Sequence, residues 1–498
     1  MRSSALKGKK TVLRLLIVCT LVVLCAACTA GRVYKRPEVK MPRQWCIAYP
    51  VAAGVANVRW WELFHDPVLN NLIDVALKKN KDVRIATARV QEFAGRFQSV
   101  QSALYPSLDY GIGAGREQQS LERNIPSLSL GPDRRQSSYR FQAAVNWEVD
   151  IWGRLRKKRE AARADLLASE YARDAVILTL TADVAEGYMS LLSLDRMLDT
   201  ARRTYASREE FLRLFEDKFR GGQVSDMELA QVRSAFESVA ETVPDIELQI
   251  ALQEDALSVL LGRNPGKIRR GKGIGMSIMP EIPQGLPADL LERRPDIRMS
   301  EENLVAADAM IDVVRDEYYP EISLTGLFGY ASTALSEFLR DTANYWSAGL
   351  DVAGPIFSAG RIKGDIQRAE AQRVELLNEY LRTIQTALQE VNDSLFKIRK
   401  LQEKLKIQER HIKALKDYLH FARERYDAQY VSYIDVLDAE RNLYSTEIAN
   451  IKTKKALFIA FVECYKSMGG GWGSANKDGE RNLPSRAVQV PPATDHRH

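Results

Sequence analysis

The chain has 498 residues, of which 45% are hydrophobic and 27% are charged. This composition provides enough apolar material for a folded core and excludes a chain that is disordered throughout. The formal charge of +6 would suit a nucleic-acid-binding surface. Five of the basic residues, however, lie in the first 14 positions, ahead of a predicted cleavage site. The mature chain is therefore close to neutral, and no nucleic-acid partner is indicated.

Residues 1–27 are predicted to form a signal peptide. A basic start is followed by an apolar run from Leu15 to Leu24, which is too short to span a bilayer. The run ends in Leu24-Cys25-Ala26-Ala27-Cys28, which resembles a bacterial lipobox. Cys28 is thus predicted to carry diacylglycerol and a fatty acyl chain, at the start of a lipid-anchored segment over residues 28–57. Ordinary signal cleavage is the alternative.

Two cysteines remain downstream of Cys28, namely Cys46 and Cys464. They are either paired in an oxidising compartment or present as two buried free thiols. The Cys25-Ala-Ala-Cys28 spacing also occurs in redox and metal sites, but it lies in an export segment and has no second pair. No metal site is predicted from it.

The first repeat is predicted over residues 58–265, and it contains alternating apolar and polar residues at about 107–150. In residues 139–151 the odd positions are apolar and most even positions are polar, which is typical of a strand with one apolar face. Each predicted strand has about ten residues, the length of a tilted transmembrane strand. The polar face carries Arg140, Gln142, Asn146, Glu148 and Asp150, which would suit a water-filled lumen or the outside of a soluble sandwich equally well.

A long helix is predicted after these strands, and the chain carries it twice. The stretch from Arg361 to Ala428 has no proline, and an apolar or aromatic residue recurs every seventh position from Leu377 to Tyr426. This heptad pattern is typical of helices that coil around neighbours, and the helix would be about 100 Å long. Subtracting 207 from these positions gives the same pattern from Ile177 to Phe219, in a stretch that begins at Arg154.

The second repeat is predicted over residues 288–472, with strands at about 321–357 that include Asp351 on the polar face. A connector rich in glycine and proline, residues 266–287, joins the two repeats. Residues 473–498 show no periodicity and are predicted to be a disordered tail. Four strands cannot close a barrel, and open strand edges are not tolerated in lipid, so closure would require several copies.

Three motifs carry a family resemblance: the lipobox, the run from Trp60 to Pro67 (WWELFHDP) and the run from Leu290 to Arg298 (LLERRPDIR). They resemble the TolC-like outer membrane factor family in its lipoprotein branch. The resemblance implies an α+β membrane protein that forms a homotrimer, with a 12-strand outer-membrane β-barrel continuous with a long periplasmic α-helical barrel. It also implies an exit channel that works with a periplasmic adaptor (a membrane fusion protein) and an inner-membrane pump.

Two other classes of function are alternatives to the channel. A lipid-anchored periplasmic coiled-coil scaffold or adaptor would explain the long helices but not the four alternating strands. An enzyme is not indicated, because the sequence has no Ser-His-Asp order, metal-ligand spacing or phosphate-binding loop. No catalytic residue and no cofactor other than the lipid on Cys28 is predicted. Methionines are scattered, which gives no support to a dedicated copper or silver route.

The resemblance also assigns roles to two groups of residues. The helix-to-helix turns would contact the adaptor through Gly221, Gly222, Val224, Gln429 and Val431. The periplasmic gate would be formed by Asp435, Asp438, Tyr426 and Glu228, with two carboxylates on one helix face and Glu228 as the acceptor of the Tyr426 hydroxyl. Simpler interpretations are that Glu228 and Asp435 belong to capping boxes with Ser225 and Ser432, and that Tyr426 ends the heptad pattern.

Overall fold

The structure is a computed structural model that describes residues 34–39, 41–42, 59–118, 135–271 and 287–470. The predicted signal peptide, Cys28, Cys46, most of the connector and the predicted tail lie outside these residues. Tyr105-Pro106 and Tyr319-Pro320 lie 214 positions apart, whereas Gly153 and Gly360 lie 207 positions apart. The first repeat is therefore seven residues longer between these landmarks, where residues 119–134 lie outside the described ranges.

Within its described residues the first repeat contains five helices and two strands, preceded by a 3-10 helix, Trp60–Phe64. Their bounds are α1 Pro67–Lys79, α2 Lys81–Ser102, β1 Ser107–Gln118, β2 Arg135–Glu148, α3 Arg154–Arg220, α4 Asp226–Ala240 and α5 Thr242–Leu260. The second repeat has α6 Leu290–Arg293, α7 Pro295–Arg315, β3 Glu321–Ser332, β4 Asn344–Ala353, α8 Arg361–Asp427 and α9 Tyr433–Ser467, with short 3-10 helices at Pro287–Asp289, Asp316–Tyr318, Leu335–Glu337 and Asp341–Ala343.

The two long helices, α3 and α8, have 67 residues each. Both follow a glycine in the left-handed region, Gly153 with φ of 97° and Gly360 with φ of 85°, where an L side chain would be strained. The heptad positions Val184 and Val391 are fully buried. The duplicated helix predicted from the heptads is therefore present in both repeats, with its apolar side in the core.

The return helix of the first repeat is divided, whereas that of the second is continuous. Residues 226–260 form α4 and α5 with a break at Glu241, while the 35 residues of α9 form one helix. Pro244 explains the break, because proline has no N–H to donate to the carbonyl of Ala240 and its ring crowds that carbonyl. The proline is placed in the first turn of α5, where it is tolerated.

The four strands form a single antiparallel sheet in the order β1-β2-β3-β4. Leu108 of β1 pairs with Val145 of β2. Adding the repeat offsets of 214 and 207 to these numbers gives Ile322 and Val352, which pair in β3 and β4. The duplication thus extends to the register of the strands. β2 also pairs with β3, which joins the two repeats and was not predicted.

The helical core is formed where α1, α3, α5 and α9 meet. Trp60 and Trp61 are both buried, and the Trp60 ring stacks on Tyr465 at 6.0 Å between centroids. The Trp-Trp motif therefore anchors the start of the first repeat to the end of the second. Helix α3 contains a stretch apolar enough to cross a membrane by length and composition, but more than half of it is buried inside the chain, so we assign that stretch to the core.

Cys464 lies in a second core cluster, where α9 packs on α7 and α8, and within the described residues it is a buried free thiol. Burial raises the pKa of the thiol to about 12, because a low-dielectric environment disfavours the thiolate. Cys464 is therefore chemically inert at neutral pH.

Candidate functional site

The two turns after α3 and α8 have the same construction. Gly222 adopts a φ of 70° and Gln429 a φ of 62°. The closing backbone hydrogen bonds are Gln223 N to Lys218 O and Tyr430 N to Arg425 O, both 2.9 Å. This is the Schellman ending of a helix, in which glycine is the usual left-handed residue. Gln429 occupies that position in the second turn with a full side chain.

The predicted adaptor-contact residues lie at the surface of these turns. Gly221, Gly222 and Gln429 are exposed, and Val224 and Val431 are half-buried. The structure adds three exposed apolar side chains that sequence analysis missed: Met227 at 67% exposure, Tyr430 at 82% and Ile434 at 52%. Met227 and Ile434 are 207 positions apart, so a pair of matching apolar residues just after each turn was the signal available in the sequence.

The helices that follow the turns are capped differently. In the first repeat Ser225 and Glu228 form a capping box, with the Glu228 carboxylate accepting hydrogen bonds from Ser225 N at 2.8 Å and Oγ at 2.9 Å. These bonds lower the pKa of Glu228. In the second repeat Ser432 accepts from Ile434 N at 3.5 Å, and the Asp435 carboxylate has no partner among the described residues. The capping-box interpretation therefore holds for Glu228 and not for Asp435.

Asp435 and Asp438 lie one turn apart in α9, and both are half-buried. Asp438 is engaged on both oxygens: Oδ1 accepts from Arg441 Nη2 at 2.6 Å, and Oδ2 accepts from Asn442 Nδ2 at 2.9 Å. The two predicted gate carboxylates thus differ, since one is neutralised by a cation of its own helix and the other is not.

Tyr426 lies in an aromatic cluster between α3 and α9. Its ring is stacked on Phe215 at 6.4 Å and meets the Tyr433 ring edge-on at 5.2 Å. The Nζ of Lys218 lies 3.4 Å from the Tyr426 hydroxyl and 5.3 Å from its ring centroid, which is a cation–π arrangement. Among the described residues Tyr426 and Glu228 do not meet within one chain.

A buried polar junction lies beside this cluster, formed by Arg208 of α3, Arg423 of α8, and Tyr433 and Glu440 of α9. Arg423 and Glu440 form an ion pair at 2.6 Å, and Arg208 donates to the carbonyl of Ala235. The atoms Arg208 Nε, Arg423 Nε, Tyr433 Oη and Glu440 Oε2 are buried without a partner among the described residues. Burial lowers the pKa of Arg208. Sequence analysis missed this junction, because it depends on contacts between helices.

A family model described as outer membrane efflux protein matches residues 72–263 and 286–470. The chain belongs to the outer membrane efflux protein family. It is 31% identical over 461 residues to the solvent efflux pump outer membrane protein SrpC of Pseudomonas putida, covering 91% of this chain and 97% of that protein.

Two further relatives agree with this family assignment. The probable outer membrane lipoprotein SilC of Salmonella typhimurium is 30% identical over 466 residues, covering 92% of this chain and 99% of SilC. The crystal structure of the Campylobacter jejuni CmeC outer membrane channel superposes with a TM-score of 0.84 at 26% identity, covering 89% of this chain and 95% of CmeC.

This outer membrane efflux protein is therefore an exit channel of an efflux system in the outer membrane. The family consists of channel proteins rather than enzymes, and its members work with pump partners. The predicted TolC-like resemblance, the outer-membrane location and the exit-channel function are confirmed. The alternative scaffold function finds no relative among these proteins. Within the described ranges no group of three or more His, Cys, Asp or Glu side chains could hold a metal ion.

Proposed function

We propose that three copies of this channel protein close a 12-stranded β-barrel in the outer membrane, continuous with a periplasmic tunnel of their long helices. The observation that supports closure is the sheet itself, in which β1 and β4 each have one edge without a partner strand among the described residues. Unpaired backbone groups cost several kcal/mol each in lipid, so these edges require strands from further copies. Three copies give an even number of strands in the range of bacterial barrels.

One face of the sheet supports contact with lipid. Its exposed apolar side chains include Leu108, Tyr110 and Ile112 of β1 and Trp346, Leu350 and Val352 of β4, which are 61% to 79% exposed. The opposite face carries polar side chains such as Asp109, Gln142 and Asp351. Three copies would therefore place an apolar band outside and a polar lumen inside.

The internal duplication provides a template for the junction between copies. Within the chain, Val145 of β2 lies opposite Gly326 of β3. The repeat equivalent of Val145 is Val352, and that of Gly326 is Ile112. We therefore place Val352 of one copy opposite Ile112 of the next, and Asp351 opposite Gly113. In this register both apolar residues face lipid and Asp351 faces the lumen.

Cysteine crosslinking tests this closure. A chain carrying Gly113→Cys and Asp351→Cys should form covalent trimers on oxidation in intact outer membranes, while each single variant should stay monomeric on denaturing gels. Each variant also carries Cys46→Ser, and Cys464 is buried, so neither native cysteine competes for the crosslink. Crosslinking to position 111 or 115 instead would revise the register. Absence of a trimer with every β1 and β4 pairing would overturn the closed barrel.

We propose that the turns after α3 and α8 dock to the periplasmic adaptor, through the predicted residues Gly221, Gly222, Val224, Gln429 and Val431. The exposed apolar residues Met227, Tyr430 and Ile434 support this assignment, since apolar and aromatic side chains on an otherwise polar surface favour protein contacts. The double variant Gly222→Asp with Val431→Asp should lose export while reaching the outer membrane. Full export in that variant would remove the turns from the docking surface.

We propose that Asp435 and Asp438 of the three copies line the constriction of the periplasmic gate, where carboxylate rings select cations. Tyr426 and Glu228 do not meet within one chain among the described residues, so we place their contact between copies. In planar bilayers the double variant Asp435→Ala with Asp438→Ala should lose cation selectivity and block by trivalent cations. Persistence of both properties would place the gate elsewhere.

Cys28, which lies outside the described residues, is proposed as the lipid-modified first residue of the mature chain, in keeping with the lipoprotein name of SilC. A fatty-acid analogue should label the wild type and not Cys28→Ser. Equal labelling of both proteins would refute the assignment. One lipid anchor adds less membrane affinity than a transmembrane barrel, so Cys28→Ser channels should still insert.

A further inference from the structure

We propose that Arg441 sets the charge selectivity of the constriction, by neutralising Asp438 so that Asp435 supplies the net negative charge of α9 there. This inference rests on the proposed gate at Asp435 and Asp438. Sequence analysis predicted only the carboxylates and the tyrosine of this gate. Arg441 is a further residue, a cation, that would determine its specificity.

Asp435 and Asp438 differ in their hydrogen bonds and ion pairs. Asp438 accepts from Arg441 at 2.6 Å and from Asn442 at 2.9 Å, which occupies both of its oxygens with donors from its own helix. Asp435 accepts no hydrogen bond and forms no ion pair in the part of the chain that the structure describes. Both members of the Asp438–Arg441 pair are open to solvent, with side-chain exposures of 42% and 72%. An exposed pair of this kind contributes little to stability, so its charges can be changed without unfolding the helix.

The helix places these charges on successive turns. Asp435, Asp438 and Arg441 follow at three-residue spacing, so neighbours in this series lie about 60° apart around the helix and about 4.5 Å apart along its axis. This part of α9 thus presents two negative charges and one positive charge over about 9 Å of axis, a span within one Debye length at 0.1 M salt. An ion at the constriction therefore responds to the sum of the three charges. From α9, three copies would present three net negative charges at the constriction rather than six.

The first repeat adds one charge at the equivalent positions. The positions 207 residues before Asp435, Asp438 and Arg441 are Glu228, Gln231 and Ser234. The Glu228 carboxylate keeps its negative charge while it accepts hydrogen bonds from Ser225 in the capping box, and the other two side chains are uncharged. Among these six positions Arg441 is therefore the one cation, and replacing it changes the sum by one charge per chain.

Charge-balanced variants of the full-length channel in planar bilayers test the inference, with reversal potential in a KCl gradient and block by hexamminecobalt(III) as readouts. Arg441→Gln should raise cation selectivity and lower the half-blocking concentration by about tenfold or more, because a trivalent ion gains three times the energy of a monovalent ion from each unmasked charge. Asp438→Ala should weaken the block. The double variant Asp438→Ala with Arg441→Gln should return block to near the wild-type level, since it restores one net negative charge per chain.

Arg233→Gln provides a matched control. Arg233 is an exposed arginine of α4, one position from the repeat equivalent of Arg441, and it pairs with Glu216 of α3 at 3.4 Å. Because this pair faces the neighbouring helix, removing its charge should leave block and selectivity unchanged. An effect as large as that of Arg441→Gln would mean that any nearby cation matters, and would overturn the specific role of Arg441.

Asp435→Ala separates failure of the inference from failure of the proposed gate. If Asp435→Ala abolishes block and Arg441→Gln leaves it unchanged, the gate stands and Arg441 does not set its charge. If Asp435→Ala retains wild-type block and selectivity, the gate assignment is wrong, and the proposed role of Arg441 is wrong as well.

Discussion

Replacing Gln429 with glycine should stabilise the turn between α8 and α9, and replacing Gly222 with glutamine should destabilise the matching turn after α3. Both residues are left-handed, with φ of 62° and 70°. A side chain in this region costs about 1 kcal/mol relative to glycine. No heavy atom lies within 4 Å of a Cβ built on Gly222, so the cost there is conformational rather than steric. We expect changes of about 1 kcal/mol of opposite sign.

Hydrogen exchange measured by mass spectrometry on the full chain in nanodiscs can resolve this effect locally. The reporters are the amides that close the two turns, Tyr430 N–H and Gln223 N–H. A change of about 1 kcal/mol corresponds to about fivefold in protection. Gln429→Gly should slow exchange at Tyr430, Gln429→Ala should not, and Gly222→Gln should accelerate exchange at Gln223. Unchanged or faster exchange at Tyr430 in Gln429→Gly would refute the assignment of strain to this residue.

Two further predictions concern the helical part of the chain. Burial, followed by repulsion from Glu463 and Asp183, raises the pKa of Glu186 to about 7. The folded state therefore holds this proton more tightly than the unfolded state, and the resulting stability is complete below about pH 4.5 and lost as pH rises through about 7. Glu186→Gln should melt at a higher temperature than wild type at about pH 8 and at a similar temperature at about pH 4; equal melting at both values would contradict the shift. In the aromatic cluster, Phe215→Ala removes a fully buried ring and should lower the free energy of unfolding by about 3–5 kcal/mol. Tyr433→Phe removes a buried hydroxyl without a partner among the described residues, so it should leave the free energy of unfolding about unchanged. Thermal melts followed by circular dichroism compare the two, and a larger loss in Tyr433→Phe would show that its hydroxyl is bound, for example by water.

The elements could be predicted from the sequence because each follows a local periodicity. The heptads from Leu377 to Tyr426 define a long helix without reference to the rest of the chain. The alternation in residues 139–151 does the same for β2. The heptad helix and the alternating strands each occur twice at a fixed offset, and such a repeat does not arise by chance, so it supports both predictions. Pro244 shows the limit of this method: it interrupts the return helix of the first repeat, and the repeat comparison alone would have predicted a continuous one.

The contacts between elements were harder to predict because a heptad identifies the apolar side of a helix but not its neighbour. Tyr426 lies on that side, yet its nearest cation, Lys218, is 208 positions away. The Arg208 and Glu440 junction depends on the same packing. By contrast, the Asp438–Arg441 pair lies within one turn of helix, and the i,i+3 spacing would have indicated it. A search of the sequence for charges near the gate aspartates would therefore have found Arg441.

The two repeats differ where a strand passes into a long helix, and the proposed trimer gives a physical reason. In the first repeat Asp150 caps α3 by accepting from Leu155 N and Arg156 N, both at 3.0 Å. The equivalent position in the second repeat is Phe357, which is 88% exposed beside the fully exposed Ile356. The first junction is covered by the second repeat of the same chain, so a polar cap can be satisfied internally. The second junction faces the next copy or lipid in the proposed assembly, where exposed apolar side chains gain most from being covered. Duplication thus allowed one copy to be optimised for contacts within the chain and the other for contacts outside it.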